Sequence, residues 1–269
     1  MEAGETVAEQ AERMRRGSSF GAAAAHYARF RPRYAEAAVR WSLEPVGDAS
    51  ALRVVDLGAG TGILTGALVA LGAEVVAVEP DPQMLAELRR RLPEVSAMAG
   101  SAEALPLPDQ SVDAVLCGQS MHWFDLDRAL PEIGRVVRPG GVLAGLWNMD
   151  DDRVEWVAEL TRITRDGARI SQWRRAPEPD SEEHRLRAGS EWFTPTEVGE
   201  FDNPQARTAE ALVSVIATTS RFLVMPEAER AERLGAISDF LAGRPETSAG
   251  EFSVPTVTGV LRAVRRPES

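Results

Sequence analysis

The chain has 269 residues, 44% hydrophobic and 26% charged, a balance that suits a soluble globular enzyme built either as one large α/β domain or as a core with a smaller appended piece. Its formal net charge of −11 disfavours phosphate backbones and anionic lipid as primary partners, so the expected partner is a small molecule, with no nucleic acid and no membrane, and the expected state is a monomer or homodimer. The lone Cys117 excludes an internal disulfide and a thiolate metal cluster and suits a reducing cytoplasm, while the absence of lysine among 30 cationic residues reads as compositional bias.

Residues 1–17 are polar, charge-rich and without clear periodicity, the pattern of a disordered N-terminus. Arg13, Arg15 and Arg16 precede "FGAAAA", but that apolar patch is short and stops at His26, so it does not read as a secretion signal. Residues 18–50 read as a helical cap, with Tyr34, Ala37, Ala38 and Trp41 on one helix face. The texture then changes. "LRVVDLG", "EVVAVE", "SVDAVLCG" and "VLAGLW" are short apolar runs of buried parallel strands, and helical stripes at Ile63–Leu71, Met84–Leu92 and Leu126–Val137 separate them. This alternation predicts an α/β fold, a doubly wound, mostly parallel sheet, over a core at 51–148. After Asn148 it fails. Residues 149–250 read as a helical lid with helices near 153–167, 208–219 and 226–241 and a Pro-, Glu- and Arg-rich connector at 174–190. Residues 251–269 hold "FSVPTVTGVLRAV", suited to a late strand that completes the sheet.

"VVDLGAGTG" carries the most chemistry. Gly58, Gly60 and Gly62 line the turn from the first strand into a helix, where a ligand can approach the backbone and meet unpaired N–H groups. A dinucleotide-binding turn reads G-x-G-x-x-G, whereas here the third glycine comes one residue early and Ile63 takes its place. Asp56 directly before the turn is unwelcome to a pyrophosphate and welcome to an ammonium group. Glu79, at the end of the second strand, can accept both hydroxyls of a ribose, and Met84 follows where a purine face could rest. No His, Cys and carboxylate set has metal-ligand spacing, so no metal is expected; Asp150–Asp152 reads as a charge cluster at a helix start.

Together "DLGAGTG", "AVEPDPQML", "GSAEALPLPDQSVDAV" and "ALPEIGRVVRPGG" resemble the class I S-adenosylmethionine-dependent methyltransferases of the broad small-molecule group, densely from about Arg53 to Asn148. The resemblance implies a Rossmann-like, seven-stranded sheet with N-terminal and C-terminal helical lid segments, and S-adenosyl-L-methionine as cofactor. It places Asp56 and the glycines at the methionine part, Glu79 at the ribose, Asp81, Met84, Ala102 and Glu103 at the adenine, and Gln119 near the sulfonium. Upstream, "HYARFRPRY" is similar to a segment of that group, which implies that Tyr27 and Arg31 close over the methionine carboxylate. Position 103 is often aspartate in that group, a departure that weakens the adenine contact.

"QSMHWFD" resembles the segment after the fourth strand in a subset that includes trans-aconitate methyltransferases. His122 is the candidate catalytic residue, open between general base, positioning group and packed corner; a hydroxyl acceptor needs a base at neutral pH, a carboxylate acceptor only needs holding. Trp123, Trp147 and Asn148 are candidate walls of the acceptor pocket. The expected activity is methyl transfer to a small molecule, with O-methylation of a carboxylate or hydroxyl favoured. The alternative is a pathway protein in which bound S-adenosylmethionine assists a non-methylating step such as cyclisation or decarboxylation.

Overall fold

The computed structural model describes residues 32–164, 169–179 and 181–267. Residues 32–35 are extended and lead into α1 (Glu36–Leu43). Next come β1 (Arg53–Leu57), α2 (Ile63–Ala70), β2 (Glu74–Glu79), α3 (Pro82–Arg91), β3 (Ser96–Ala99) and β4 (Val112–Gly118). A 3-10 turn at Met121–Trp123 leads into α4 (Leu126–Val136) and β5 (Val137–Asp150). The remainder comprises α5 (Glu155–Thr164), α6 (Ile170–Trp173), α7 (Glu182–Ala188), β6 (Glu197–Asp202), β7 (Gln205–Thr208), α8 (Ala209–Ala217), α9 (Ser220–Leu223), α10 (Glu227–Ala242), β8 (Glu251–Val254) and β9 (Thr256–Val264).

Seven strands form one sheet in the order β3-β2-β1-β4-β5-β9-β6, parallel from β3 to β5, with β9 antiparallel between β5 and β6. Order reverses at β1, which has β2 on one side and β4 on the other, so the crevice for a ligand opens above the ends of these strands. The central strands are valine-rich because both faces are covered. Val55, Leu57, Val78, Val115, Cys117 and Leu143 pack on the α4 face. Val54, Leu116, Ala144, Leu146 and Val260 pack against α1 and α2 on the other. The helical part carries a core of its own, in which Trp156 and Leu160 of α5 meet Leu212 and Ile216 of α8 and Ile237 and Leu241 of α10.

Three departures from the expected pattern have local causes. Of the helical cap expected over residues 18–50, the described part has α1 at Glu36–Leu43; residues 32–35 before it are not helical, the carbonyls of Pro32 and Arg33 being taken by side-chain amides. "FSVPTVTGVLRAV" is two strands: Pro255 interrupts the ladder, so β8 pairs with β7 in a separate two-stranded sheet while β9 enters the main one. The edge strands β3 and β6, "SAMA" and "EVGEFD", carry little apolar signal because each is paired on one side only.

Arg262 of β9 fastens α1 to this sheet. Its guanidinium lies 3.8 Å from the Trp41 ring centroid, donates to the Trp41 carbonyl, and pairs with Glu44 and Glu197. Arg262→Met keeps the aliphatic stem and deletes this set, and we expect a loss of about 2 kcal/mol. The thermal midpoint should then fall by roughly 5 °C; an unchanged midpoint would assign α1 docking to apolar packing alone.

Candidate functional site at the strand ends

The glycine turn is tied to β2 by three hydrogen bonds. Gly58 and Ala59 N–H groups donate to the Val78 carbonyl at 2.9 and 3.1 Å, and Gly60 N–H donates to Glu79 Oε2 at 2.7 Å. The other oxygen of Glu79 accepts from Asp81 N–H at 2.8 Å, so one carboxylate bridges the turns after β1 and β2. Burial raises the Glu79 pKa, and the two N–H bonds oppose that. Each oxygen still has a lone pair to offer.

The glycines are not equivalent. A Cβ on Gly58 would lie 2.5 Å from Ser120 Cβ, so this glycine lets the ends of β1 and β4 meet, where Ser120 Oγ donates to the Leu57 carbonyl at 2.7 Å. Gly60 has φ +55° and nothing within 4 Å of where its Cβ would be, so it faces open space. Beside it, Asp56 is fully buried, and its Oδ2 accepts from Thr65 Oγ1 of α2 at 2.6 Å. Among the described residues Asp56 Oδ1 and Thr61 Oγ1 have no hydrogen-bond partner. Burial above all, with the charge of Glu79 adding to it, pushes the Asp56 carboxyl up to about 7. Open backbone at Gly60, two orphaned buried oxygens and a buried acidic group fit the cofactor implied by the sequence, whose methionine end carries an ammonium.

The other expected residues sit along the same edge. Asp81 caps α3, its Oδ1 accepting from Gln83 and Met84 N–H at 2.8 and 2.9 Å, and Met84 is buried. Ala102 is buried, and Glu103 Oε1 accepts from Asp125 N–H at 3.0 Å, tying the "GSAEALPLP" loop to the start of α4. Gln119 holds a left-handed backbone at φ +56°, which is uncommon outside glycine and clusters at functional sites, and its Nε2 donates to the Asn148 carbonyl at 3.0 Å. His122 is exposed on the 3-10 turn, with its ring 4.7 Å from that of Trp123. Trp147 covers Gly145 beside the Met121 methyl and meets Trp173 at 5.5 Å. Asn148 turns to the backbone of residues 32–33. Tyr27 and Arg31 lie outside the described residues.

Sequence reasoning passed over several participants. Thr65 and Ser120 brace the turn, yet isolated hydroxyl residues in helix and loop give no periodic signal. Tyr34 falls on a helix face in the sequence pattern, whereas its phenol lies against Gly118, where a Cβ would be 2.6 Å from Tyr34 Oη. Asn203, just past β6, joins the edge only through the fold.

Two consequences can be measured. Gly58→Ala should destabilise through the Ser120 clash, whereas Gly60→Ala should cost only about 1 kcal/mol of backbone strain and act on ligand binding instead; equal thermal midpoints for the two would refute this division. The Asp56 carboxyl holds its proton in the folded chain to about pH 7, against 3.8 ordinarily, so its stabilising contribution is full below about pH 4 and is lost as pH rises through 7. The midpoint difference between the wild type and Asp56→Asn should therefore shift against the wild type from pH 4 to 8, and a constant difference would exclude a raised Asp56.

Comparison with known proteins agrees with this geometry. Residues 55–145 match a family model described as a methyltransferase domain. An uncharacterized methyltransferase of Mycobacterium tuberculosis is 41% identical over 247 residues, covering 91% of this chain and 95% of that protein. A malonyl-acyl-carrier-protein O-methyltransferase of Methylococcus capsulatus is 47% identical over 98 residues, 34% of this chain and 36% of that protein. A solved structure described as a type II methyltransferase from Anaeromyxobacter dehalogenans aligns with a TM-score of 0.55 and 26% identity, over 89% of this chain and 100% of that one. With identity sustained across almost the full length of a methyltransferase and the sheet built in this order, the chain belongs to the class I S-adenosylmethionine-dependent methyltransferases, and S-adenosylmethionine is its cofactor.

Proposed function

We propose that the cofactor lies along the ends of β1, β2 and β4 and that the methyl group passes to an oxygen of a small-molecule acceptor at the His122 corner. The observation that carries the placement is the open backbone at Gly60 between the bridging carboxylate of Glu79 and the orphaned oxygens of Asp56 and Thr61. Gly58 and Gly62 shape the turn around it. Glu79 receives the ribose hydroxyls on its remaining lone pairs. Asp81, Met84, Ala102 and Glu103 border the adenine, with Asp81 and Glu103 fixing backbone rather than reading the base directly. Asp56 faces the methionine end, where a nearby ammonium would favour its ionised form, the proton leaving to solvent and an ion pair remaining. Tyr27 and Arg31 are assigned to the methionine carboxylate.

When bound, S-adenosylmethionine supplies a methyl carbon on a sulfonium, open to in-line displacement; this chain has to align the nucleophile, exclude water and handle a proton. Gln119, in its strained turn, sets the path from β4 into the His122 segment. His122 takes the proton of a hydroxyl acceptor, or holds an acceptor that arrives ionised. Trp123 and Trp147 wall the pocket, and an aromatic face beside a sulfonium is favourable. Asn148 shapes that wall through its hold on residues 32–33. The preference for oxygen rests on the match to part of an O-methyltransferase and on the placement of a histidine.

Methyl-labelled cofactor offered with panels of small carboxylic acids, alcohols and phenols should yield label on oxygen; label on nitrogen or carbon alone would overturn the acceptor class. For a hydroxyl acceptor, His122→Ala should cut kcat roughly a hundredfold and flatten the rise of rate with pH, with affinity for S-adenosylhomocysteine unchanged. A parallel loss of that affinity would make His122 part of the cofactor site instead.

A further inference from the structure

Residues 32–35 cross the strand ends as an extended strap, held by side chains from three different parts of the sheet. Asn148, near the end of β5, donates from Nδ2 to the carbonyls of Arg33 and Pro32 at 3.2 and 3.3 Å. Asn203, just past β6, donates to the same Arg33 carbonyl at 2.7 Å, and lies 3.0 Å from Asn148 Oδ1 and 3.1 Å from Thr258 Oγ1. Thr258 of β9 is fully buried; its hydroxyl accepts from Ala35 N–H at 3.1 Å and donates to Asn148 Oδ1 at 2.7 Å. Gln205 fixes the orientation of Asn203 by donating to its Oδ1 at 2.9 Å.

This arrangement overrides the helical pattern of the strap. A helix would satisfy those backbone groups without help; here three buried or half-buried polar side chains do so, and the result is a fixed position for Tyr34. Its phenol rests on Gly118, the last residue of β4, at a point that Leu64 in the first turn of α2 also approaches. Gly118 lies two residues beyond Leu116, the partner of Asp56 in the β1–β4 ladder, so the phenol stands at the strand end that carries the buried carboxyl. Gly118 admits it only by lacking a side chain: a Cβ there would be 2.6 Å from Oη and 2.9 Å from Cζ. The same Asn148 supplies the carbonyl that holds Gln119.

We propose that Asn148, Asn203 and Thr258 are positioning residues for cofactor binding: they form a latch that sets Tyr34 as the wall of the methionine end of the site. The latch acts through Tyr34 and does not touch the ligand. It rests on the placement of the cofactor proposed above.

The test is calorimetric affinity for S-adenosylhomocysteine, with thermal midpoints reporting folding. Thr258→Val is close to isosteric and removes the hydroxyl; it should raise Kd about tenfold, equivalent to about 1.4 kcal/mol. Thr258→Ser should stay within twofold of wild type. Asn203→Ala should behave like Thr258→Val and carries the same test should the buried valine prevent folding. Tyr34→Ala should also raise Kd about tenfold, and Thr258→Val or Asn203→Ala added to Tyr34→Ala should change Kd less than twofold, because the wall they position is already gone. Full additivity in the double variants overturns the proposal, as does a lowered midpoint with unchanged Kd in the single latch variants. Gly60→Val separates the two readings. Lost binding there with unchanged binding in Tyr34→Ala overturns the latch alone, whereas unchanged binding in both overturns the placement of the cofactor and the latch with it.

Discussion

A single buried carboxylate organises the ligand edge of this protein. Glu79 accepts one N–H from the glycine turn and one from the turn after its own strand, so one side chain holds the two loops at a fixed separation. Besides that bridge, the Gly58–Gly62 turn is held by the bonds of Gly58 and Ala59 N–H to the Val78 carbonyl, by Gly62 N–H on the Ala59 carbonyl, and by Arg91, which donates to the Thr61 carbonyl at 2.7 Å. The cost is a charge held away from water, which raises the pKa of Glu79 and contributes to the raised pKa of Asp56. Two acidic groups are kept close at one edge, each partly compensated by donors aimed at it. That is the electrostatic preparation one expects of a surface meant to receive a ligand bearing hydroxyls and a positive charge.

The central sheet was legible in the chain because its strands are buried on both faces and read as unbroken apolar runs. The first three runs became β1, β2 and β4 with small shifts at their ends, whereas "VLAGLW" is the middle of a longer strand, β5, that begins at Val137 and ends at Asp150. Legibility faded where burial is one-sided or supplied by distant partners. The strands β3 and β6 are edges, and the division of the last strand at Pro255 depends on β7, which only the tertiary fold brings to β8. For the candidate site, Asp56, Glu79 and the glycines were readable from spacing, since all lie within the one unit β1–α2–β2. Tyr34 and Asn203 were not, because they are brought to the edge from 84 and 85 positions away from residue 118 by contacts that leave no mark on their own neighbourhoods.

The corner after β4 shows how little sequence separates packing from chemistry. Met121 and Phe124 point into the core, whereas His122 between them is exposed and Trp123 is half-buried. A 3-10 turn makes this possible: its tight pitch sends adjacent residues in different directions within one turn. Glu103 then holds the next backbone N–H from a separate loop, so the corner is braced from outside the helix it begins.

The helical core has an unusual provenance. Trp156 and Leu160 precede β6 in the chain, whereas Leu212, Ile216, Ile237 and Leu241 follow it, so the cluster is assembled from two excursions that leave the sheet on either side of one edge strand. The pairing of β6 with β9 adds a second closure, since β9 begins only after both excursions are made. During folding, neither excursion can complete its apolar face alone. Long-range loop closure must come first, which is the kind of ordering that slows a chain and lengthens the life of partly exposed apolar surface. The helical part of the molecule is therefore the part whose formation depends most on the rest having already formed.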